Sequence, residues 1–148
     1  MAETDTPEPS VFTRIINGEL PGRFVWRDDE VVAFLTIAPL RPGHTLVVPI
    51  AQIDHWTDVP PALWARMGEV QQAVGRALLE TFGSLRVGSI IAGMEVPHCH
   101  IHLVPINSES ELSFALVDHS PRPEDLDAAA AAIRARLRVL GHDEVPAD

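Results

Sequence analysis

Three histidines stand at alternate positions in one apolar stretch, Val96-Pro97-His98-Cys99-His100-Ile101-His102-Leu103-Val104-Pro105. A β-strand turns successive side chains to opposite faces, so His98, His100 and His102 would share one face. Cys99, Ile101 and Leu103 would then point the other way, into a core. Imidazoles titrate near neutrality and are costly to bury without partners, which suits such a row to chemistry. Alternate residues on a strand are ~6.6 Å apart, which puts His98 and His102 ~13 Å apart at Cα. Zinc needs each imidazole nitrogen at ~2.0–2.1 Å, a demand that a His-x-His pair can meet but three in a straight row cannot easily. A zinc site would need a third ligand from elsewhere, with His44 and His55 the candidates. Ordinary surface or core histidines are a further reading. An array that handles an extended anion, such as a phosphate chain, fits the spacing better. One ring can serve as nucleophile while its neighbours donate hydrogen bonds.

The elements that must position these rings belong to one domain, since 148 residues hold one good core and not two comfortable ones. The hydrophobic fraction of 46% fits a soluble globular protein. No apolar run reaches the ~18 residues of a membrane span, and the acidic, Pro-rich start resembles neither a secretory signal nor a transit peptide. The single cysteine, Cys99, excludes an intrachain disulfide and points to a reducing, cytoplasmic setting. The net charge of −10 argues against nucleic acid as a partner, though not against a small phosphorylated ligand in a favourable pocket.

Residues 1–9 are expected to form a disordered acidic tail, 10–141 the domain and 142–148 a C-terminal tail. Val11 to Ile16 is a short element of undetermined type, closed by the turn dipeptide Asn17-Gly18. Phe24-Val25-Trp26 and Val31 to Leu35 read as a hairpin around a solvated Asp28-Asp29-Glu30 turn, and His44 to Pro49 as a third strand. A helix follows, with Thr57 or Asp58 as cap, Pro60 and Pro61 in its first turn and Gly83 at its end. Leu63, Met67, Val70, Val74 and Leu78 form its apolar face, while Gly68 and Gly75 suggest close packing within the domain or against a second subunit. Arg86 to Ala92 is a fourth strand and the histidine stretch a fifth. Pro123 to Leu140 is a second helix with Leu126, Ala130, Ile133, Leu137 and Leu140 on one face. The fold class is therefore α+β, a mainly antiparallel five-stranded sheet with two main helices.

The run His98-Cys99-His100-Ile101-His102-Leu103-Val104 resembles the histidine-triad signature, His-φ-His-φ-His-φ-φ with φ apolar. Phe34-x-x-Ile37-x-Pro39 followed by Pro42-Gly43-His44-x-Leu46-Val47-x-Pro49 is similar to the same family's nucleotide-pocket segment. Phe12-x-x-Ile15-Ile16-x-Gly18-Glu19-Leu20-Pro21 is similar to its opening. These matches span roughly residues 10–105 in the expected order. The resemblance implies a homodimeric nucleotide hydrolase or transferase that acts, with no cofactor or metal, on the α-phosphate of a small purine-nucleotide substrate. Phosphoramidates, acyl-adenylates and dinucleoside polyphosphates are such substrates. It assigns His100 as the nucleophile that becomes nucleotidyl-histidine, flanked by His98 and His102. His44 matches the additional histidine beside the triad, and Leu20, Phe34 and Ile37 match the apolar wall around the base. His55, His119 and His142 match no motif.

Several positions depart from the pattern. Thr36 stands where the family has an aspartate on the ribose hydroxyls, and keeps one hydroxyl but no bidentate carboxylate. Met94 and Glu95 replace a Gln and a Ser/Thr just before the triad. Glu95 brings a carboxylate near the phosphate, able to repel substrate or to raise a histidine pKa. Ser89 stands in for a missing amide side chain. Ser10 and Thr13 occupy positions where many bacterial members carry a cysteine pair for structural zinc. A catalytically weak nucleotide- or metabolite-binding module is the alternative that these departures keep open.

Overall fold

The structure is a computed structural model that describes residues 7–147. Of the expected N-terminal tail, residues 1–6 lie outside the described residues. Glu8 is tied down, its carbonyl accepting a hydrogen bond from Gln52 Nε2 at 2.9 Å.

Five strands, β1 Phe24–Arg27, β2 Val31–Leu35, β3 Thr45–Pro49, β4 Arg86–Ile90 and β5 Ile101–Ile106, make one antiparallel sheet of order β1-β2-β3-β5-β4. Three helices accompany it: α1 Val11–Ile16, α2 Pro61–Phe82 and α3 Pro123–Val139. The apolar stripes of α2 and α3 lie on one face of the sheet. There Met67, Val74, Leu78, Ile133 and Leu137 meet Val31, Ala33, Leu35, Val47 and Leu103 in the main core. Short α1 covers part of the other face, where Phe12 and Ile16 meet Val32, Phe34, Leu46 and Val48 in a second cluster. β2 and β3 are thus buried on both sides, which is why their sequences run almost continuously apolar.

Several expectations change. The fifth strand begins only at Ile101, so His98 and His100 precede the ladder. The alternation still holds, because Cys99, Ile101 and Leu103 all enter the main core. The N-cap of α2 is Pro60 without a side-chain cap, since Thr57 and Asp58 belong to a separate 3-10 turn, Trp56–Asp58. A Cβ added at Gly68 or Gly75 would meet nothing within 4 Å, so these glycines do not serve close packing within the chain. The Asp28 turn is less solvated than expected, with Asp28 accepting from Trp26 Nε1 and from Arg66. The C-terminal segment is docked: the Arg27 N–H donates to Glu144 O at 2.7 Å, and His142 packs on Trp26.

The Pro42-Gly43-His44 corner that delivers His44 needs its glycine twice over. Gly43 has φ +92°, and a Cβ there would lie 2.5 Å from the Phe82 ring. Gly43→Ala should lower the unfolding free energy by about 2–4 kcal/mol in urea denaturation, since it combines left-handed strain with overpacking. A loss below about 0.5 kcal/mol would contradict this reading.

Candidate functional site

Burial of imidazoles obliges the fold to supply partners, and those partners fix where every proton sits. His98 is fully buried, and its Nε2 lies 2.7 Å from the Pro49 carbonyl. A carbonyl only accepts, so Nε2 carries the hydrogen and Nδ1 the lone pair. That lone pair receives the Ser10 hydroxyl, 2.7 Å away. His100 is turned the other way, with Nδ1 at 2.8 Å from the His98 carbonyl. Its hydrogen is therefore on Nδ1 and its Nε2 is bare. His44 Nδ1 accepts from the Leu40 N–H at 3.0 Å, so His44 Nε2–H donates to His102 Nδ1 at 2.9 Å. His102 is left with an Nε2–H to offer. The array thus presents one lone pair, on His100, beside one donor, on His102, their rings 4.8 Å apart.

The same burial keeps the rings neutral. It pushes the His44 pKa down to about 3, helped by the neighbouring His102 and His100, and that of His102 to about 4, helped by His100. His98 and His100 are also lowered by burial, although at His100 the His98 carbonyl and the Glu95 charge work in the opposite direction. Phe12 packs edge-on against His98 and His100, and Phe114 against His102. Cys99 faces the core, its thiol pushed up to about 11 by burial, and is no nucleophile.

One cavity opens onto this array, and a second, larger one shares part of its wall. The larger, of about 560 Å³, is lined by Ile15, Leu20, Phe34 and Ile37 and is largely apolar. The smaller, of about 310 Å³, is lined by Met94, Glu95, His100, His102 and Phe114. Phe12, Thr36 and Leu46 border both, so Thr36 stands at the junction. Its Oγ1 accepts from the Ala38 N–H at 3.1 Å, which leaves its own proton to donate. Phe34 is the buried floor, whereas Ile37, 73% exposed, is a rim.

Three residues expected at the site are not on these cavities. His98 lies behind His100 and reaches it through the backbone carbonyl. His44 acts through His102. Ser89 donates to Gln71 Oε1 on α2, on the helix side of the sheet where its partner Leu103 also points. Two other residues, Gln52 and Phe114, carried no recognised signal: Gln52 lies far from the triad in sequence, and Phe114 follows a polar loop held by the Arg41–Glu111 ion pair. Ser10 stood out only as a departure from a cysteine pair, and its contact with His98 was not foreseen. Among the described residues, no three His, Cys, Asp or Glu side chains converge as a metal site would require.

A buried row of neutral imidazoles on this antiparallel sheet places the protein in a known class. The HIT domain model matches residues 17–109, and the chain belongs to the HIT, or histidine-triad, family. It is 30% identical over 139 residues to Protein hit of Bacillus subtilis, covering 88% of this chain and 95% of that one. A Zn-bound histidine triad family protein from Mycobacterium smegmatis superposes with TM-score 0.76 at 31% identity, covering 88% of this chain and 94% of the other. The adenosine 5'-monophosphoramidase of Saccharomyces cerevisiae is 30% identical over 100 residues, 67% of this chain; the match spans 63% of that enzyme.

The depressed histidine pKa values make the fold acid-sensitive in a defined window. His44 and His102 are neutral when folded but protonate near 6.5 when unfolded, so between about pH 6.5 and 4 the unfolded chain binds more protons. Stability therefore falls as pH drops through this window and is flat above it. Urea unfolding should show a loss of about 2–4 kcal/mol between about pH 7.5 and 5, and His44→Gln should reduce that slope. An unchanged unfolding free energy at the two pH values would contradict the assignment.

Proposed function

We propose that the protein is a nucleotide hydrolase or nucleotidyl transferase that acts on the α-phosphate of an adenylated small molecule through a nucleotidyl-His100 intermediate. The observation that carries this reading is the bare Nε2 of His100, left free by its Nδ1–H on the His98 carbonyl, in a ring that lines the cavity together with His102. The apolar cavity suits a purine base against Phe34, Leu20 and Ile37, and Thr36 at the junction suits the sugar. The phosphoramidase activity named for the yeast relative supports an adenylate with a nitrogen leaving group.

In this reading a neutral imidazole attacks phosphorus without prior deprotonation. The new P–N bond makes His100 cationic, and the His98 carbonyl stabilises that charge through Nδ1–H. The leaving group departs with the electron pair of its bond to phosphorus and takes up a proton. The His102 Nε2–H supplies a hydrogen bond to the departing atom or to a phosphate oxygen. Water, or another acceptor in a transferase, then attacks phosphorus, and the P–N electron pair returns to His100.

Glu95 favours a second reading, weak binding with little turnover, because its carboxylate lines the cavity that would hold phosphate. A panel of AMP-amidates, acyl-adenylates and dinucleoside polyphosphates separates the two. Release of AMP from at least one compound is expected, with His100→Ala lowering turnover on the order of 10³-fold or more without loss of folding. Turnover undiminished in that variant would refute the intermediate, and no release from any compound would favour the binding module.

A further inference from the structure

Four polar side chains from three separate segments converge behind His100. Ser10 Oγ, 5% exposed with the whole residue, lies 2.7 Å from His98 Nδ1 and 3.3 Å from Thr13 Oγ1. Gln52 Oε1 lies 2.7 Å from both the Ser10 N–H and Thr13 Oγ1. Thr13 Oγ1 is 3.4 Å from His98 Nδ1. Ser10 and Thr13 are the positions that the family resemblance associates with a zinc-binding cysteine pair, and a structural neighbour is zinc-bound. The donor set here does not fit that ion. It offers two hydroxyls, an amide carbonyl and one imidazole, with no thiolate or carboxylate among them. The His98 lone pair that faces the centre already accepts the Ser10 proton.

The proton directions close on themselves. Pro49 O forces the hydrogen of His98 onto Nε2, so His98 Nδ1 must accept. Ser10 Oγ accepts from the Thr13 N–H at 3.0 Å, as the N-cap of α1, and spends its own proton on His98. Thr13 Oγ1 gives its proton to Gln52 Oε1, and Gln52 Nε2 gives one of its own to Glu8 O. Removing the Ser10 hydroxyl would leave a lone pair unsatisfied on a ring that no water reaches, which invites the ring to turn or change tautomer. His98 bears the carbonyl that orients His100, so the disturbance would pass directly to the exposed lone pair.

We propose that Ser10, backed by Thr13 and Gln52, is a metal-free positioning clamp that holds His98 as its Nε2–H tautomer and through the His98 carbonyl aims His100. The catalytic arm of its test rests on the function proposed above; the spectroscopic arm does not. In ¹⁵N-histidine-labelled full-length protein, His98 should show a protonated Nε2 and a bare Nδ1, unchanged after dialysis against a chelator. Ser10→Ala should disturb those resonances and lower kcat about 10–100-fold with a smaller change in KM. Ser10→Thr, which keeps the hydroxyl, should restore both. If Ser10→Ala does not fold, Thr13→Val should give a smaller disturbance in the same direction. Stoichiometric zinc whose removal alters the His98 resonances would overturn the clamp. So would a protonated Nδ1 on His98, or a Ser10→Ala protein with parental His98 resonances, whatever its stability. A protein that turns over no nucleotide would refute the proposed function while the nitrogen spectra still decided the clamp.

Discussion

A backbone carbonyl can accept a hydrogen bond but never donate one, and the site depends on that asymmetry at two places. Pro49 O at the end of β3 and His98 O just before β5 each confront an imidazole nitrogen at 2.7–2.8 Å. Together with the Leu40 N–H, which can only donate, they leave each of the four clustered rings a single neutral tautomer. The proton positions of the site are thus set by main-chain groups, one at the end of a strand and two in the segments beside the sheet. Burial completes the arrangement by keeping the rings uncharged, so that a nitrogen lone pair exists at neutral pH.

The layering of the fold follows from what the two faces of the sheet must do. The helix face is a continuous apolar core in which α2 and α3 cover the sheet. The opposite face is covered only in part, by α1, and leaves open the cavity beside His100 and His102. Six-residue α1 is too short to be stable alone and is held by Phe12 and Ile16 in the second cluster and by Ser10 at its N-cap. Phe12 therefore does three things at once: it packs α1, contacts the edges of two imidazoles and borders both cavities.

Much of this was readable in the chain. Side-chain alternation put His100 and His102 opposite Cys99, Ile101 and Leu103; the spacing of Met67, Val70, Val74 and Leu78 located α2, and Gly83 marked its end. Local periodicity carries such information because it depends only on backbone geometry. The beginning of β5 was not readable, because an extended chain alternates its side chains whether or not a neighbour pairs with it. Ser89 was misplaced for a related reason: strand alternation is legible, but which face bears the site depends on register with Leu103. The bond from Ser10 to His98 was not readable, although Ser10 stood out as a departure from the family pattern. Only the tertiary fold brings Ser10 to a ring tens of residues away, with Gln52 behind it.

In the proposed reaction His100 Nε2 is the atom that meets phosphorus. Protein mixed rapidly with an AMP-amidate and quenched in alkaline denaturant, where a P–N bond survives, can be digested and its peptides weighed. A transient mass gain of one adenylyl group is expected on the peptide containing His100, localised to that residue by fragmentation. An adduct on any other side chain, or AMP released with no adduct at any time during turnover, would contradict it.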